Sequence, residues 1–107
     1  MINPARCAWI GLGANLGDPA ASLHRALLRL RVLFPAHFTV SSFWESDPVD
    51  CPAGSPPFLN AVAGWMPASD TSAESVLRTL MDLEREHGRT RGGTRNAPRP
   101  LDLDLLW

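Results

Sequence analysis

Two aspartates near the end of the sequence have the type and spacing for chemistry. They alternate with leucines in the segment Leu101-Asp102-Leu103-Asp104-Leu105. This alternation predicts a strand with both carboxylates on one face, roughly 7 Å apart at their Cα atoms. Carboxylates are typical ligands of Mg²⁺, which completes its shell with water and substrate phosphates. The pair predicts a two-metal phosphoryl-transfer site, and the alternative is an ordinary strand with a solvated face.

Arginines are concentrated just before this pair. All ten basic residues are arginines, and the segment 88–100 contains Arg89, Arg91, Arg95 and Arg99 with three glycines and two prolines. Guanidinium groups match the geometry of phosphate oxygens, so we expect a loop that closes over a polyphosphate. A solvated charged loop is the alternative. Cationic groups beside a carboxylate pair favour a Mg²⁺-nucleotide as the ligand.

A third candidate is the pair Phe58 and Asn60, two residues apart in a predicted strand. Period-two geometry puts both side chains on one face. A ring for stacking and an amide for hydrogen bonding suit a flat, nitrogen-containing heterocycle. The alternative is a core phenylalanine beside an edge asparagine.

Composition narrows the function classes. The 107 residues carry a net charge of −1 and include no lysine, which excludes a lysine Schiff base and the lysine-dependent phosphate loop. Cys7 and Cys51 lack metal-ligand spacing, and two cysteines are too few for a disulfide scaffold. We therefore expect a protein of the reducing cytoplasm. No apolar run approaches the ~20 residues of a membrane span.

The order of predicted elements is β-α-β-β-α-β. Apolar periodicity, caps and breakers indicate strands over 7–13, 37–46, 58–66 and 101–107, and helices over 19–34 and 71–87. This order predicts an α+β ferredoxin-like sandwich, with an antiparallel sheet and both helices on one face. Gly11, Gly13 and Gly17 are interpreted as turn glycines, since their spacing departs from the dinucleotide-binding fingerprint.

Taken together, the chain resembles the 6-hydroxymethyl-7,8-dihydropterin pyrophosphokinases of folate biosynthesis. The matching blocks are 11–17, 41–49, 58–62, 84–91 and 98–106, of which the last is the most specific. The resemblance implies transfer of the β,γ-diphosphate of ATP to the pterin hydroxymethyl group, with release of AMP.

The resemblance also implies roles for individual residues. Asp102 and Asp104 would be catalytic and would hold two Mg²⁺ ions. ATP would be contacted by Glu84, Arg89, Arg91 and Arg99, of which Arg89 and Arg99 would be catalytic. The pterin would be bound by Ser46, Val49, Phe58 and Asn60. We expect a cytoplasmic monomer that acts on these small molecules, without nucleic acid or membrane.

Other interpretations stay open at this stage. Family members continue past the last predicted strand, so residues 1–107 are expected to form a single pyrophosphokinase-like domain that is shortened at its C-terminus. A non-catalytic or incomplete fragment that binds Mg²⁺-nucleotide or pterin weakly is one alternative. An RNA-binding ferredoxin-like module is another, disfavoured by the near-zero net charge and by the lack of a basic, aromatic-rich third strand.

Overall fold

The computed structural model describes residues 7–47, 54, 56–87 and 101–106. Two helices and five strands lie in these segments. In chain order they are β1 (Ala8–Ala14), α1 (Pro19–Leu33), β2 (Thr39–Val40), β3 (Trp44–Ser46), β4 (Phe58–Trp65), α2 (Ala73–His87) and β5 (Asp102–Leu105).

Helix α1 follows the predicted range to within one residue. The side chain of Asp18 caps it by accepting a hydrogen bond of 3.1 Å from the Ala21 amide, and Pro19 occupies the first turn. Proline suits this position because its missing N–H would have no partner inside the helix. At the other end, the Phe34 amide donates to the Leu30 carbonyl at 2.8 Å. The predicted start and end of this helix are confirmed.

Helix α2 begins at Ala73, one residue later than a cap at Thr71 would predict. The sequence suggested a capping box between Thr71 and Glu74, whereas Ser72 accepts a hydrogen bond of 3.1 Å from the Ser75 amide. Glu74 instead pairs with Arg78 one turn along, at 3.4 Å. Both serine and threonine are good caps, so the sequence alone could not choose between neighbours.

The sheet is antiparallel throughout, in the order β2-β4-β1-β5, with β3 also paired to β4. In the part of the chain that the structure describes, β1 and β4, the first and third predicted strands, are central neighbours. The last predicted strand, β5, lies at an edge. This is the ferredoxin-like arrangement, and the predicted fold class is confirmed.

The predicted strand over 37–46 is divided into β2 and β3. Between them Ser41 bonds to β4 twice, because its amide donates to the Val62 carbonyl and its Oγ accepts from the Val62 amide, both at 2.8 Å. A side-chain oxygen thus replaces a backbone carbonyl at this point. The pairing register shifts by one residue there, since Val40 lies opposite Ala63 and Trp44 opposite Asn60, and the two short strands continue along the same neighbour.

Alternate residues of the central strands face the two helices. The core contains every second residue of β1 and β4, the buried stripes of both helices and two leucines at β5. Its buried members are Ala8, Ile10, Leu12, Ala14, Leu23, Ala26, Leu27, Leu30, Ala61, Ala63, Trp65, Val76, Leu80, Leu83, Leu101 and Leu103. Both helices therefore cover one face of the sheet. We call the opposite face, which includes Gly11, Asn60 and Asp104, the helix-free face.

Neither helix described by the structure is long and apolar enough to cross a membrane; each has 15 residues.

Candidate functional site

The two aspartates lie on the helix-free face, as the alternation predicted. Leu103 is buried between them, whereas Asp102 and Asp104 are exposed. Burying a leucine side chain is favourable by about 2 kcal/mol, and leucine rather than aspartate therefore takes the core side of the strand. The strand carries both carboxylates out to solvent on one side.

Gly11 and Gly13 form the floor beside these carboxylates. In the pairing of β1 with β5, Gly11 lies opposite Asp104 and Gly13 opposite Asp102. Their interpretation as turn glycines is wrong, because both lie inside β1. Of these three glycines, Gly17 has a positive φ, at 61°. Because Gly11 and Gly13 have no side chains, the sheet surface is open between the aspartates of β5 and the side chains of β4.

Asn60 and Phe58 face the same floor from the other side. Asn60 lies opposite Gly13 in the pairing of β4 with β1, which puts it two strands from Asp102, at about 10 Å between Cα atoms. Phe58 is half-buried and lies outside the hydrophobic core cluster. The alternative interpretation of Phe58 as a core residue is therefore wrong.

The amide of Asn60 has a fixed orientation. Its Nδ2 donates to Ser46 Oγ at 2.9 Å and to the Trp44 carbonyl at 3.2 Å. The carbonyl oxygen Oδ1 points toward β1, since it would lie 3.4 Å from a Cβ atom placed on Gly13. Asn60 thus presents a hydrogen-bond acceptor to the floor of the site, and Ser46 is one of the groups that hold it there.

These groups surround one depression of about 290 Å³ on the helix-free face. This volume is close to the lower end of the range of small-molecule sites. The lining residues come from β1, β3, β4, β5 and the residue after β5: Gly11, Leu12, Gly13, Trp44, Phe58, Asn60, Ala61, Val62, Asp102, Asp104 and Leu106. The structure thus brings together the carboxylate pair and the Phe58–Asn60 pair, which are more than forty positions apart in the sequence.

Trp44 is a lining residue that the sequence analysis did not identify. Its side chain is 47% exposed, and it lies opposite Asn60 in the pairing of β3 with β4. An indole ring on the wall of a depression offers a surface for stacking. The available signal was its position two residues before Ser46, but using it required the register of β3 on β4.

Glu84 lies behind the carboxylate pair. It is half-buried on α2, and its Oε2 accepts a hydrogen bond of 2.8 Å from the amide of Leu103. This bond joins the C-terminal part of the helix to the edge strand between Asp102 and Asp104.

Four of the predicted site residues lie outside the described residues: Val49, Arg89, Arg91 and Arg99.

Among the residues that the structure describes, no group of three or more histidine, cysteine, aspartate or glutamate side chains forms a metal cluster. The donor set on β5 is instead a pair of neighbouring exposed carboxylates. Mg²⁺ usually takes one or two carboxylates from the protein and its remaining ligands from water and substrate phosphates. The pair therefore fits Mg²⁺ that arrives with a phosphorylated substrate better than a cation enclosed by protein ligands.

Comparison with known proteins gives a consistent result. The family model for 7,8-dihydro-6-hydroxymethylpterin-pyrophosphokinase (HPPK) matches residues 9–107. The chain is similar to the 2-amino-4-hydroxy-6-hydroxymethyldihydropteridine pyrophosphokinase of Haemophilus influenzae, with 40% identity over 92% of this chain and 60% of the relative. The enzyme of the same name from Bacillus subtilis is 38% identical over 92% of this chain and 58% of its own length.

A plant relative has a longer chain. The folate synthesis bifunctional protein of Arabidopsis thaliana is 33% identical over 92% of this chain, which corresponds to 20% of the plant protein. The chain thus spans about 60% of the length of the two bacterial relatives and one fifth of the plant protein.

Proposed function

The chain belongs to the 7,8-dihydro-6-hydroxymethylpterin-pyrophosphokinase family, and from this we propose that it transfers diphosphate from ATP to 6-hydroxymethyl-7,8-dihydropterin. The pterin hydroxyl oxygen attacks the β-phosphorus of ATP, the bond from that phosphorus to the α,β-bridging oxygen breaks, and the hydroxyl proton is released. The products are AMP and the pterin diphosphate. This reaction is a step of folate biosynthesis.

The observation that best supports this proposal is the shared depression on the helix-free face. It has two chemically different sides, a carboxylate side on β5 and an aromatic and amide side on β4. The glycine floor between them is free of side chains. Such an arrangement suits a ligand pair of which one member is an anionic phosphate chain with its cation and the other a flat heterocycle.

On the β5 side, we assign Asp102 and Asp104 as the ligands of two Mg²⁺ ions. The metal ions, when bound, would activate the attacking hydroxyl and neutralise charge on the ATP phosphates. The two carboxylates would hold these ions beside the glycine floor. Their position on a paired strand, rather than on a loop, limits the freedom of that geometry.

For ATP binding, we assign Arg89, Arg91 and Arg99 to the triphosphate and Glu84 to a nucleotide contact, from the positions that they match in the family. Guanidinium groups stay charged at any physiological pH and can form paired hydrogen bonds with phosphate. Arg89 and Arg99 would also stabilise the charge that spreads over the transferred group. These assignments rest on the family resemblance alone.

For pterin binding, we assign Phe58 to ring stacking, Asn60 to the heterocycle edge, and main-chain groups near Ser46 and Val49 to further hydrogen bonds. Asn60 Oδ1 supplies an acceptor for ring or amino N–H groups. The bond from Asn60 to Ser46 Oγ supports this orientation, because it engages the amide nitrogen with the protein and leaves the oxygen toward the floor.

A monomeric state, a cytoplasmic location and the absence of nucleic acid and membrane partners are further parts of the proposal. Of these predictions, the carboxylate pair on the helix-free face supports the absence of a nucleic acid partner. Two negative charges on that face oppose the phosphate backbone of RNA, which binds the corresponding sheet surface in RNA-recognition modules.

AMP release tests the proposed function directly. The purified 107-residue chain is incubated with Mg²⁺, ATP and 6-hydroxymethyl-7,8-dihydropterin, and AMP is measured by chromatography. We expect AMP only when the pterin and the metal ion are both present. A folded chain that releases no AMP under these conditions would refute the activity for this polypeptide, and pterin-independent AMP would indicate a different reaction.

A further inference from the structure

Among the strands that the structure describes, β5 lies at the edge of the sheet, and alternate backbone groups along it point away from β1. The Leu106 amide donates to the Trp9 carbonyl at 2.7 Å. Because hydrogen-bonded and non-bonded pairs alternate along an antiparallel ladder, Leu103 is a non-bonded position in this register. Its N–H is directed out of the sheet, and it is this N–H that bonds to Glu84 Oε2 at 2.8 Å.

From this bond we infer that Glu84 is a positioning residue for the carboxylate pair, acting through the backbone of Leu103. The inference rests on the proposed metal-binding role of Asp102 and Asp104. It goes beyond a nucleotide contact of Glu84, because it assigns the residue a function before any nucleotide binds.

The packing around Glu84 gives it a firm base for this action. Its neighbour Leu83 is 2% exposed, and Val76 and Leu80 on the same helix are each 1% exposed. Glu84 therefore projects from a helix that is anchored in the core. Strand β5 has four residues and, within the described part of the chain, pairs with β1 alone. Near the aspartates it is restrained by the β1 ladder, by the buried Leu103 side chain and by the bond to Glu84.

Fixing the Leu103 amide constrains both aspartates, since their peptide groups are joined directly to this residue. Loss of the bond would let β5 twist or shift at its outer edge. The two carboxylates would then sample more relative orientations, and metal binding would pay a larger ordering cost. Groups that orient metal ligands typically change metal affinity by about 10- to 100-fold when they are removed.

Two substitutions separate position from charge. Glu84→Gln keeps a carbonyl acceptor at the same reach and removes the negative charge. Glu84→Asp keeps the charge and shortens the side chain by one methylene. Glu84→Ala removes both. Glu86→Gln is the matched control, because Glu86 is on the same helix and its nearest ion-pair contact is with Arg29, at 3.8 Å on the exposed surface.

The experiment uses NMR of the full chain without nucleotide. Hydrogen exchange of the Leu103 amide reports the bond to Glu84, and Mn²⁺-induced broadening of the Asp102 and Asp104 amide resonances gives an apparent Kd for the metal ion. Thermal unfolding of each variant verifies that it is folded at the temperature of measurement.

We expect Glu84→Ala and Glu84→Asp to speed Leu103 exchange and to raise the Mn²⁺ Kd about 10-fold or more. Glu84→Gln should stay close to Glu86→Gln in both measurements. If Glu84→Asp instead keeps the parent affinity while Glu84→Gln loses it, charge rather than position is the cause and the inference is refuted.

Failure of the proposed function would look different. In that case the parent chain would show no selective broadening of the two aspartate amides, and the metal assignment itself would be overturned. Selective broadening that is equal in the parent and in a folded Glu84→Ala variant would overturn the positioning role alone.

Discussion

Asp102 and Asp104 carry the strongest prediction at the residue scale. Replacing either with asparagine preserves side-chain size and removes the charge that Mg²⁺ requires. A metal ion contributes several kcal/mol to stabilising the charge of the transition state, so we expect AMP release to fall by roughly 10³-fold in each variant. The measurement is the initial rate of AMP formation at saturating ATP and pterin.

The fold should survive both substitutions, because the two side chains are exposed. Asp82→Asn is a suitable control, since Asp82 is an exposed aspartate of α2 that pairs with Arg85 at 3.5 Å. Its rate should match that of the parent. Full activity in Asp102→Asn or Asp104→Asn would contradict the metal assignment.

Asn60 and Ser46 make a graded prediction for pterin binding. Asn60→Leu removes the acceptor directed toward the floor, and we expect the KM for pterin to rise about tenfold or more, as for loss of a buried hydrogen bond. Ser46→Ala removes only one of the bonds that orient the Asn60 amide, so its effect should be smaller and in the same direction. Steady-state kinetics with pterin as the varied substrate measures both.

The KM for ATP provides the internal control for this pair. It should change little in either variant, because both residues are on the β4 side of the depression. A larger effect of Ser46→Ala than of Asn60→Leu would show that Ser46 acts independently of the amide.

Residue patterns revealed which side chains share a face, whereas the neighbouring strands followed only from the predicted ferredoxin-like fold class. Alternation was sufficient to put Asp102 with Asp104, and Phe58 with Asn60, because the period of a strand is a local property. The meeting of these two pairs depends on β1 lying between β4 and β5, which is a tertiary fact. For the same reason Gly11 and Gly13 were misinterpreted, since a glycine that clears a binding floor and one that permits a turn are identical in sequence.

At the scale of elements, helices were easier to predict than strands. Helix α1 contains its own N-cap, a first-turn proline and a stripe of apolar residues. Its limits are therefore determined by nearby residues in the sequence. The division of 37–46 into β2 and β3 is not, because it depends on Ser41 bonding to Val62, 21 residues away. Aromatic and β-branched residues favour strand on both sides of this division, so the sequence pattern does not reveal it.

Gly11 of strand β1 allows a test of whether the substrates occupy the floor of the depression. A Cβ atom on Gly11 would have no atom within 4 Å, so the backbone there has room for the start of a side chain on the helix-free face. Gly11→Leu should retain the stability of the parent, as interior strand glycines are themselves unfavourable. It should raise the KM for both substrates, because the side chain would enter the depression between its two sides.

Gly11→Ala is the graded control for this test and should lie between the parent and Gly11→Leu. Urea unfolding and substrate titrations are measured on the same preparations. A stable Gly11→Leu variant with unchanged KM values would show that substrates do not use this floor.

For the whole molecule, one face of the sheet mainly supports stability and the other contains the candidate site. The helix-covered face contains the buried hydrophobic residues, and the helix-free face contains the candidate site. The bond from Glu84 to Leu103 is an exception that connects the two layers, since it extends from a helix to the strand with the carboxylate pair. Stability and metal binding should therefore be coupled at β5 more than elsewhere on the sheet.

Leu30→Ala tests this division at a point far from that connection. Leu30 is 0% exposed on α1, whereas Val32 on the same helix is 75% exposed. Truncating a buried leucine costs about 2–5 kcal/mol, a large part of the ~5–15 kcal/mol that stabilises a typical domain. The urea midpoint should fall strongly for Leu30→Ala and little for Val32→Ala, with similar m-values.

At temperatures where both variants are folded, their KM values and AMP release should match those of the parent. A folded Leu30→Ala variant with altered KM would show that the helix layer shapes the site directly, and the separation of the two faces would then be wrong.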